Sequence, residues 1–208
     1  MRTLGVLSEP YTTVFNVPIT GSNVDEVGNN YAALVSGSVT VDGETATFHN
    51  SSSERITYYP LSAPQAKLRL QTDTEFTIRF SITAKGGIGV LMSCLNATKD
   101  NGFYIFVNDT VPMLGFYGVG LGGLGSGGFV AVPIPIGVLT TVRCICKRST
   151  NQLIVYVDDV LAGATDGGLL SNLTNEPRDV CLGVHSDTDT SQPLNGTIDY
   201  VLIRDKTG

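Results

Sequence analysis

Two stretches limit most strongly what this chain can fold into: Leu153–Ala162 (LIVYVDDVLA) and Leu194–Arg204 (LNGTIDYVLIR). The first reads as a strand, a tight Asp158-Asp159 turn and a return strand. Asp tolerates the left-handed backbone that a two-residue hairpin demands. The second reads as a strand opened by Asn195-Gly196. Glu75–Thr83 strengthens the pattern, with Phe76, Ile78, Phe80 and Ile82 on one face and Thr77, Arg79, Ser81 and Thr83 on the other. A period of two marks an antiparallel strand with one wet face.

The same signals recur along the chain. Val39 and Val41 lead into an Asp42-Gly43 turn, and Thr45–Phe48 returns. Ile56–Tyr59, Lys67–Gln71, Gly89–Cys94, Gly102–Val107, Phe129–Val132, Thr140–Lys147, Leu153–Val157, Val180–His185 and Ile198–Ile203 are further strand candidates. Gly89–Cys94 and Gly102–Val107 are apolar on both faces, which predicts central positions in a sheet. Gly115–Gly128 reads as a glycine-rich surface loop. No long amphipathic helix and no internal repeat is evident. Residues 1–36 mix Pro10, Pro18, Gly21 and Asn29-Asn30 with short apolar runs, and read as an extended arm with a short helical turn near Asn30–Leu34. The division expected is an arm over residues 1–36 and a β domain over residues 37–208.

Length and composition agree with one large β domain. A chain of 208 residues buries about 70% of its unfolded surface on folding. Charged residues are 15% and hydrophobic residues 42% of the chain, a globular balance. The net charge of −6 repels phosphate backbones and anionic lipid, so neither a nucleic acid nor a membrane is an expected partner. Glu9 and Pro10 interrupt the N-terminus before any signal-peptide core, and no run of 18 apolar residues occurs. Synthesis and retention in a cytoplasm are therefore expected. Cys144 and Cys146 share a strand face with Val142, which predicts small core residues and neither disulfide nor metal ligands.

The order of motifs resembles the laminin-G-like and pentraxin-like branch of the concanavalin A-like lectin superfamily. Thr45-Ala46-Thr47-Phe48 with Asn50-Ser51-Ser52 is similar to its entering strand and turn. Glu75-Phe76-Thr77-Ile78-Arg79-Phe80 resembles its "F-T-I-x-F" strand, and Val155-Tyr156-Val157-Asp158-Asp159 its "Y-V-D-G" hairpin. Cys181-Leu182-Gly183 and Gly196-Thr197-Ile198-Asp199-Tyr200-Val201 resemble its last two strands. The matches span residues 37–205. Asp159 stands where the family has Gly, and there is no Trp of the kind sugar-binding members carry. The resemblance implies an all-β, antiparallel jelly-roll β-sandwich with an extended N-terminal arm.

Catalytic signatures are weak. Gly118-x-Gly120-x-x-Gly123 lacks the helix and the acid that a dinucleotide site needs, since no Asp or Glu occurs between Asp109 and Asp158. No E-x-D-x-x-E run supplies the paired carboxylates of a glycosidase. His185, beside Ser186-Asp187-Thr188-Asp189, reads as a loop histidine. Asp187 and Asp189, with Asp199 or a backbone carbonyl, supply hard oxygens of the kind Ca²⁺ takes. No other cofactor is expected.

The resemblance therefore implies a non-enzymatic virion structural or adhesion protein of a tailed phage: a capsid decoration, head-fibre or tail-fibre component assembled in the host cytoplasm. Its expected partners are a capsid or tail protein of the same virion, further copies of itself in a homo-oligomer, and a host surface glycan. A carbohydrate-binding, lectin-like module, with or without Ca²⁺, is the alternative. Partner contact is expected in the arm at Leu4, Val6, Tyr11, Phe15 and Tyr31, and in the glycine-rich loop at Gly120, Leu121 and Leu124. The His185–Gln192 loop is the third candidate.

Overall fold

The computed structural model describes residues 11–18, 31–60, 73–95, 102–119, 129–166, 179–185 and 190–206. Strands β1 (Tyr11–Pro18) and β2 (Tyr31–Ser36) come first. Then follow β3 (Thr40–Asp42), β4 (Thr45–His49), β5 (Arg55–Pro60), β6 (Thr74–Ile82) and β7 (Ile88–Leu95). Next are β8 (Gly102–Asn108), β9 (Met113–Val119), β10 (Phe129–Pro133), β11 (Thr140–Lys147) and β12 (Gln152–Val157). The chain closes with β13 (Val160–Asp166), β14 (Val180–Leu182) and β15 (Asn195–Lys206). No helix occurs among the described residues.

Two antiparallel sheets form a sandwich, the architecture the alternation predicts. Sheet I runs β13-β12-β11-β6-β15-β4-β3, and sheet II runs β10-β9-β8-β7-β14-β5-β2. β15 organises sheet I. One flank pairs with β6, while the other pairs first with β4 and then, from Tyr200 on, with β1. A bulge at Asp199 marks the change of partner. At its start, Gly196 has φ +151°, and a Cβ there would meet the Ser81 carbonyl oxygen at 2.2 Å. The Asn-Gly opening is thus set by the close approach of β6.

The core lies between the sheets. Phe76, Ile78, Phe80 and Ile82 of β6 are buried, as are Val142, Cys144 and Cys146 of β11. The Phe76 ring centroid sits 4.6 Å from Phe103 of β8 and 5.8 Å from Phe116 of β9, a contact that crosses between the layers. All four cysteines are buried thiols outside any disulfide. Burial pushes the Cys144 thiol up to about 12, so it is inert as a nucleophile at neutral pH. β7 and β8 occupy central positions in sheet II, as two-sided apolarity predicts.

Several expectations need correction. Residues 31–36 form a strand paired with β5, where a helical turn was expected over Asn30–Leu34. β1 and β2 are members of the two sheets, on β15 and β5 respectively. Asp42 pairs with Thr45, so the central residues of that turn are Gly43-Glu44, one position later than expected. Gly115–Val119 belongs to β9 rather than to a loop, because β8 and β10 both pair with it. The β14 strand ends at Leu182, three residues before His185. The Lys67–Gln71 strand lies outside the described residues.

The β12–β13 turn is as the sequence reads. Val157 pairs with Val160 across Asp158 (φ 47°) and Asp159 (φ 63°), the double left-handed geometry of a type I′ hairpin. Asp158 also ties the turn to β11. Its backbone N–H donates to the Thr141 carbonyl at 2.8 Å, and the Thr141 N–H donates to its carboxylate at 2.8 Å. Asp159→Gly is expected to stabilise by about 0.5–1 kcal/mol by relieving the left-handed cost. Asp158→Ala, which loses both the carboxylate bond and tolerance of positive φ, is expected to cost roughly 1–3 kcal/mol. Thermal unfolding of both variants checks the opposite signs.

A second expectation concerns Asp205. Burial raises its carboxyl to about 6, against the opposing 2.9 Å hydrogen bond donated by Thr74. The folded chain then holds this proton more tightly than the unfolded chain, so the group's contribution to stability falls as pH rises through 4 to 6. Asp205→Asn is expected to unfold at higher temperature than the natural chain at pH 7.5. The difference should close by pH 4, as followed by melting across that range.

Candidate functional site

The outward face of sheet II carries an unbroken lateral row. Strand registers place Leu34, Thr57, Cys181, Ser93, Tyr104 and Tyr117 side by side from β2 to β9. The next row places Val90, Phe106, Gly115 and Ala131 together. The middle of the first row is small and polar. Thr57, Cys181 and Ser93 are fully buried, and Cys181 Sγ lies 3.8 Å from Thr57 Oγ1. Ser93 Oγ donates to the Val184 carbonyl at 3.0 Å. Gly183 N–H donates to the Leu91 carbonyl, and Leu194 N–H to the Gly183 carbonyl. These bonds lay residues 183–185 against the sheet.

An aromatic cluster results. Tyr104 lies 5.3 Å from Tyr117, 5.5 Å from Phe106 and 4.8 Å, edge-on, from the His185 ring. His185 is buried, and its Nδ1 lies 3.1 Å from Ser191 Oγ. Burial first, and the neighbouring Tyr117 second, push the Tyr104 hydroxyl above its ordinary range, so it remains protonated. Gly115 makes room for the cluster. A Cβ there would stand 2.3 Å from the Phe106 ring, so the ring covers bare backbone. Tyr104 and Tyr117 are the half-buried members of the cluster, and Phe106 and His185 are its buried ones; partly exposed tyrosine rings offer an apolar face and a hydroxyl together.

The sequence-predicted residues distribute as follows. Tyr11, Phe15 and Tyr31 are strand residues, registered opposite Lys206, Ile203 and Pro60. Leu4, Val6, Gly120, Leu121, Leu124, Asp187 and Asp189 lie outside the described residues. Yet Tyr117 is three positions before Gly120, and His185 and Ser191 flank residues 186–189. Tyr117, near the end of β9, and His185 and Ser191, between β14 and β15, therefore meet Tyr104 in one cluster. Tyr104, Phe106 and Tyr117 were missed because Gly102–Val107 and the start of the glycine-rich stretch read as core and loop. The signal was there: Tyr104 and Phe106 alternate with Phe103 and Ile105.

Asp199 lies elsewhere, on the outward face of sheet I. Thr45 Oγ1 donates to its carboxylate at 3.2 Å, and Arg79 Nε stands 3.8 Å away. A guanidinium is an unfavourable neighbour for a divalent cation. No group of three or more His, Cys, Asp or Glu that could hold a metal occurs among the described residues. On the same face Glu75 is paired with Arg204 and, at 3.5 Å, with Arg143. Arg143 lies 4.1 Å from the centre of the Tyr156 ring. These carboxylates serve as ion-pair partners.

No protein-family model matches the chain, and no curated protein matches it. Solved structures do. A structure of botulinum neurotoxin type C, which relies on interaction with two ganglioside molecules to get into cells, aligns with a TM-score of 0.74 at 10% identity. That alignment covers 95% of this chain and 49% of the other. The binding domain of botulinum neurotoxin DC, in complex with rat synaptotagmin II, aligns at 0.73 with 9% identity, covering 94% and 49%. The CBM40 of the Ruminococcus gnavus IT-sialidase, bound to α2,3 sialyllactose, aligns at 0.57 with 15% identity, covering 92% of each chain. The chain spans about half the length of the toxin domains it matches. At these identities the likeness is one of fold: a two-sheet antiparallel β-sandwich.

Gly115→Ala tests the construction of the cluster. The added methyl must displace the Phe106 ring, and a loss of roughly 1–3 kcal/mol is expected in thermal unfolding. A larger near-ultraviolet dichroism change than far-ultraviolet change should accompany it, since the rings move and the strands stay.

Proposed function

We propose that this chain is a non-catalytic, lectin-like binding module that holds a glycan against the outward face of sheet II. The Tyr104–Tyr117 pair with His185 carries this reading. A sugar presents an apolar ring face to aromatic side chains and its hydroxyls to polar ones. The half-buried Tyr104 and Tyr117 supply both kinds of contact from β8 and β9, and the buried His185, held by Ser191, fixes the Tyr104 ring edge-on. The fold shared with a sialyllactose-bound module and with toxin binding domains supports the same reading. Tyrosine takes the role that Trp fills elsewhere. Ca²⁺ held by Asp187 and Asp189 is part of the proposal.

The setting of this module is a tailed-phage particle, as a capsid decoration, head-fibre or tail-fibre component. The order of lectin-like motifs over residues 37–205 supports it.

A glycan array run with and without EDTA tests the binding reading. Binding is expected, with Tyr104→Ala and Tyr117→Ala each weakening it at least about tenfold, the loss of one stacked ring. Binding that vanishes with EDTA supports the Ca²⁺ part. No binding under either condition, with both tyrosines intact, defeats the proposal. Proteomics of purified particles tests the setting.

A further inference from the structure

Asp-Gly and Asn-Gly pairs are among the most easily rearranged linkages of a polypeptide. Glycine has no side chain to shield its main-chain nitrogen, which can attack the carbonyl carbon of the preceding side chain. The chain has four such pairs: Asp42-Gly43, Asn101-Gly102, Asp166-Gly167 and Asn195-Gly196. Both residues are described in the first and the last. By intrinsic chemistry Asn195 is the more reactive of these two, since a carboxamide is attacked faster than an ionised carboxylate at neutral pH. The nitrogen must also swing into line with the carbon, so the backbone has to be free to turn. The fold grants that freedom to the other pair.

Asn195-Gly196 is locked. Gly196 is buried and paired on both flanks, with Phe48 of β4 and Ile82 of β6. The Asn195 carbonyl accepts from Thr83 N–H at 2.9 Å, and its carboxamide Nδ2 donates to the Ala84 carbonyl at 3.4 Å. Ring closure here would disrupt pairing with both neighbouring strands, and central strands open only in the costliest unfolding steps. Asp42-Gly43 has none of these restraints. Both residues are exposed, as is Glu44. Gly43 is a turn residue at φ 61°, and nothing stands within 4 Å of the place a Cβ would take. Among the described residues no hydrogen bond or ion pair engages the Asp42 carboxylate. β3 is three residues long and pairs with β4 from Thr40 to Asp42. A turn closed by so short a ladder opens at little cost.

We infer that Asp42-Gly43 is a site of spontaneous covalent modification, where the folded chain accumulates isoaspartate while Asn195 keeps its amide. The Gly43 nitrogen attacks Asp42 Cγ in its protonated carboxyl form. The new N–C bond closes a succinimide ring, and one carboxyl oxygen leaves as water with the carboxyl proton and the N–H proton. A water molecule then reopens the ring. Cleavage between the nitrogen and Cγ restores aspartate. Cleavage between the nitrogen and the Asp42 main-chain carbonyl carbon leaves the chain running through Cβ and Cγ, with the former main-chain carbonyl now a carboxylate. Charge is unchanged, but the main chain is one carbon longer. Asp42 is the residue that closes the hairpin on Thr45, and Val41 beside it pairs with Ala46 and packs on the core. The added carbon shifts that register, so β3 is expected to loosen from β4. None of this rests on glycan binding.

Peptide mapping of the folded full chain, after weeks at neutral pH and physiological temperature, is the test. Isoaspartate is expected at Asp42, as a peptide of unchanged mass that elutes apart, accepts a methyl group from an isoaspartate methyltransferase and resists Asp-specific cleavage. Asn195 should show no mass increase from amide loss. Asp42→Asn then compares amide with amide in one chain. While folded, that variant should deamidate at position 42 at least about tenfold faster than at Asn195. In guanidinium chloride the two rates should converge. An Asp42 that stays wholly aspartyl overturns the inference, as does an Asn195 that deamidates as fast as position 42 in the folded variant. So does a gap of equal size that persists in denaturant, which would assign the difference to neighbouring residues and not to the fold.

Discussion

The contact of Phe76 with Phe103 and Phe116 joins the two sheets, and it fixes which way every neighbouring side chain points. Phe76 faces inward from β6, so Glu75 and Thr77 face outward from sheet I. Phe103 and Phe116 face inward from β8 and β9, so Tyr104 and Tyr117 face outward from sheet II. A register slip of one residue would send the tyrosines into the core and the phenylalanines into solvent. The aromatic surface is thus a consequence of core parity, and the two cannot vary independently.

The two outward faces have different chemistry because different costs are met on each. On sheet I a nearly buried carboxylate, Glu75, is held between two guanidinium groups, and Arg143 also rests on Tyr156. Removing one partner of such a set leaves a charge without compensation, which is strongly unfavourable. That face is therefore fixed by internal pairing. Sheet II has no charge in its central row, and its polar atoms are hydroxyls, a thiol and an imidazole. Neutral groups of this kind are held at lower cost than ion pairs are.

Much of the scaffold was legible because it depends on local rules. The alternation from Phe76 to Ile82 and the Asp158-Asp159 turn each require only nearby residues. What was not legible depends on contacts far apart in the chain. β1 becomes a strand because β15, near the other end of the sequence, offers an open flank after its bulge at Asp199. Gly115 looks like a loop glycine until Phe106 is placed opposite it. The outward direction of Tyr104 needs the register of three strands. Asp199 was read as a metal ligand because Asp in a terminal strand carries no local sign of the Thr45 and Arg79 that engage it.

The small residues at the centre of sheet II then explain the placement of His185. A strand crossing the middle of a sheet usually offers large side chains to whatever packs on it. Here Thr57, Cys181 and Ser93 keep that surface low, and Ser93 holds the Val184 carbonyl directly. The chain after β14 can therefore lie close to β7 and bring the imidazole edge against Tyr104. Larger side chains at these positions would lift residues 183–185 and separate the histidine from the ring. Three small buried residues thereby set the geometry of the aromatic cluster.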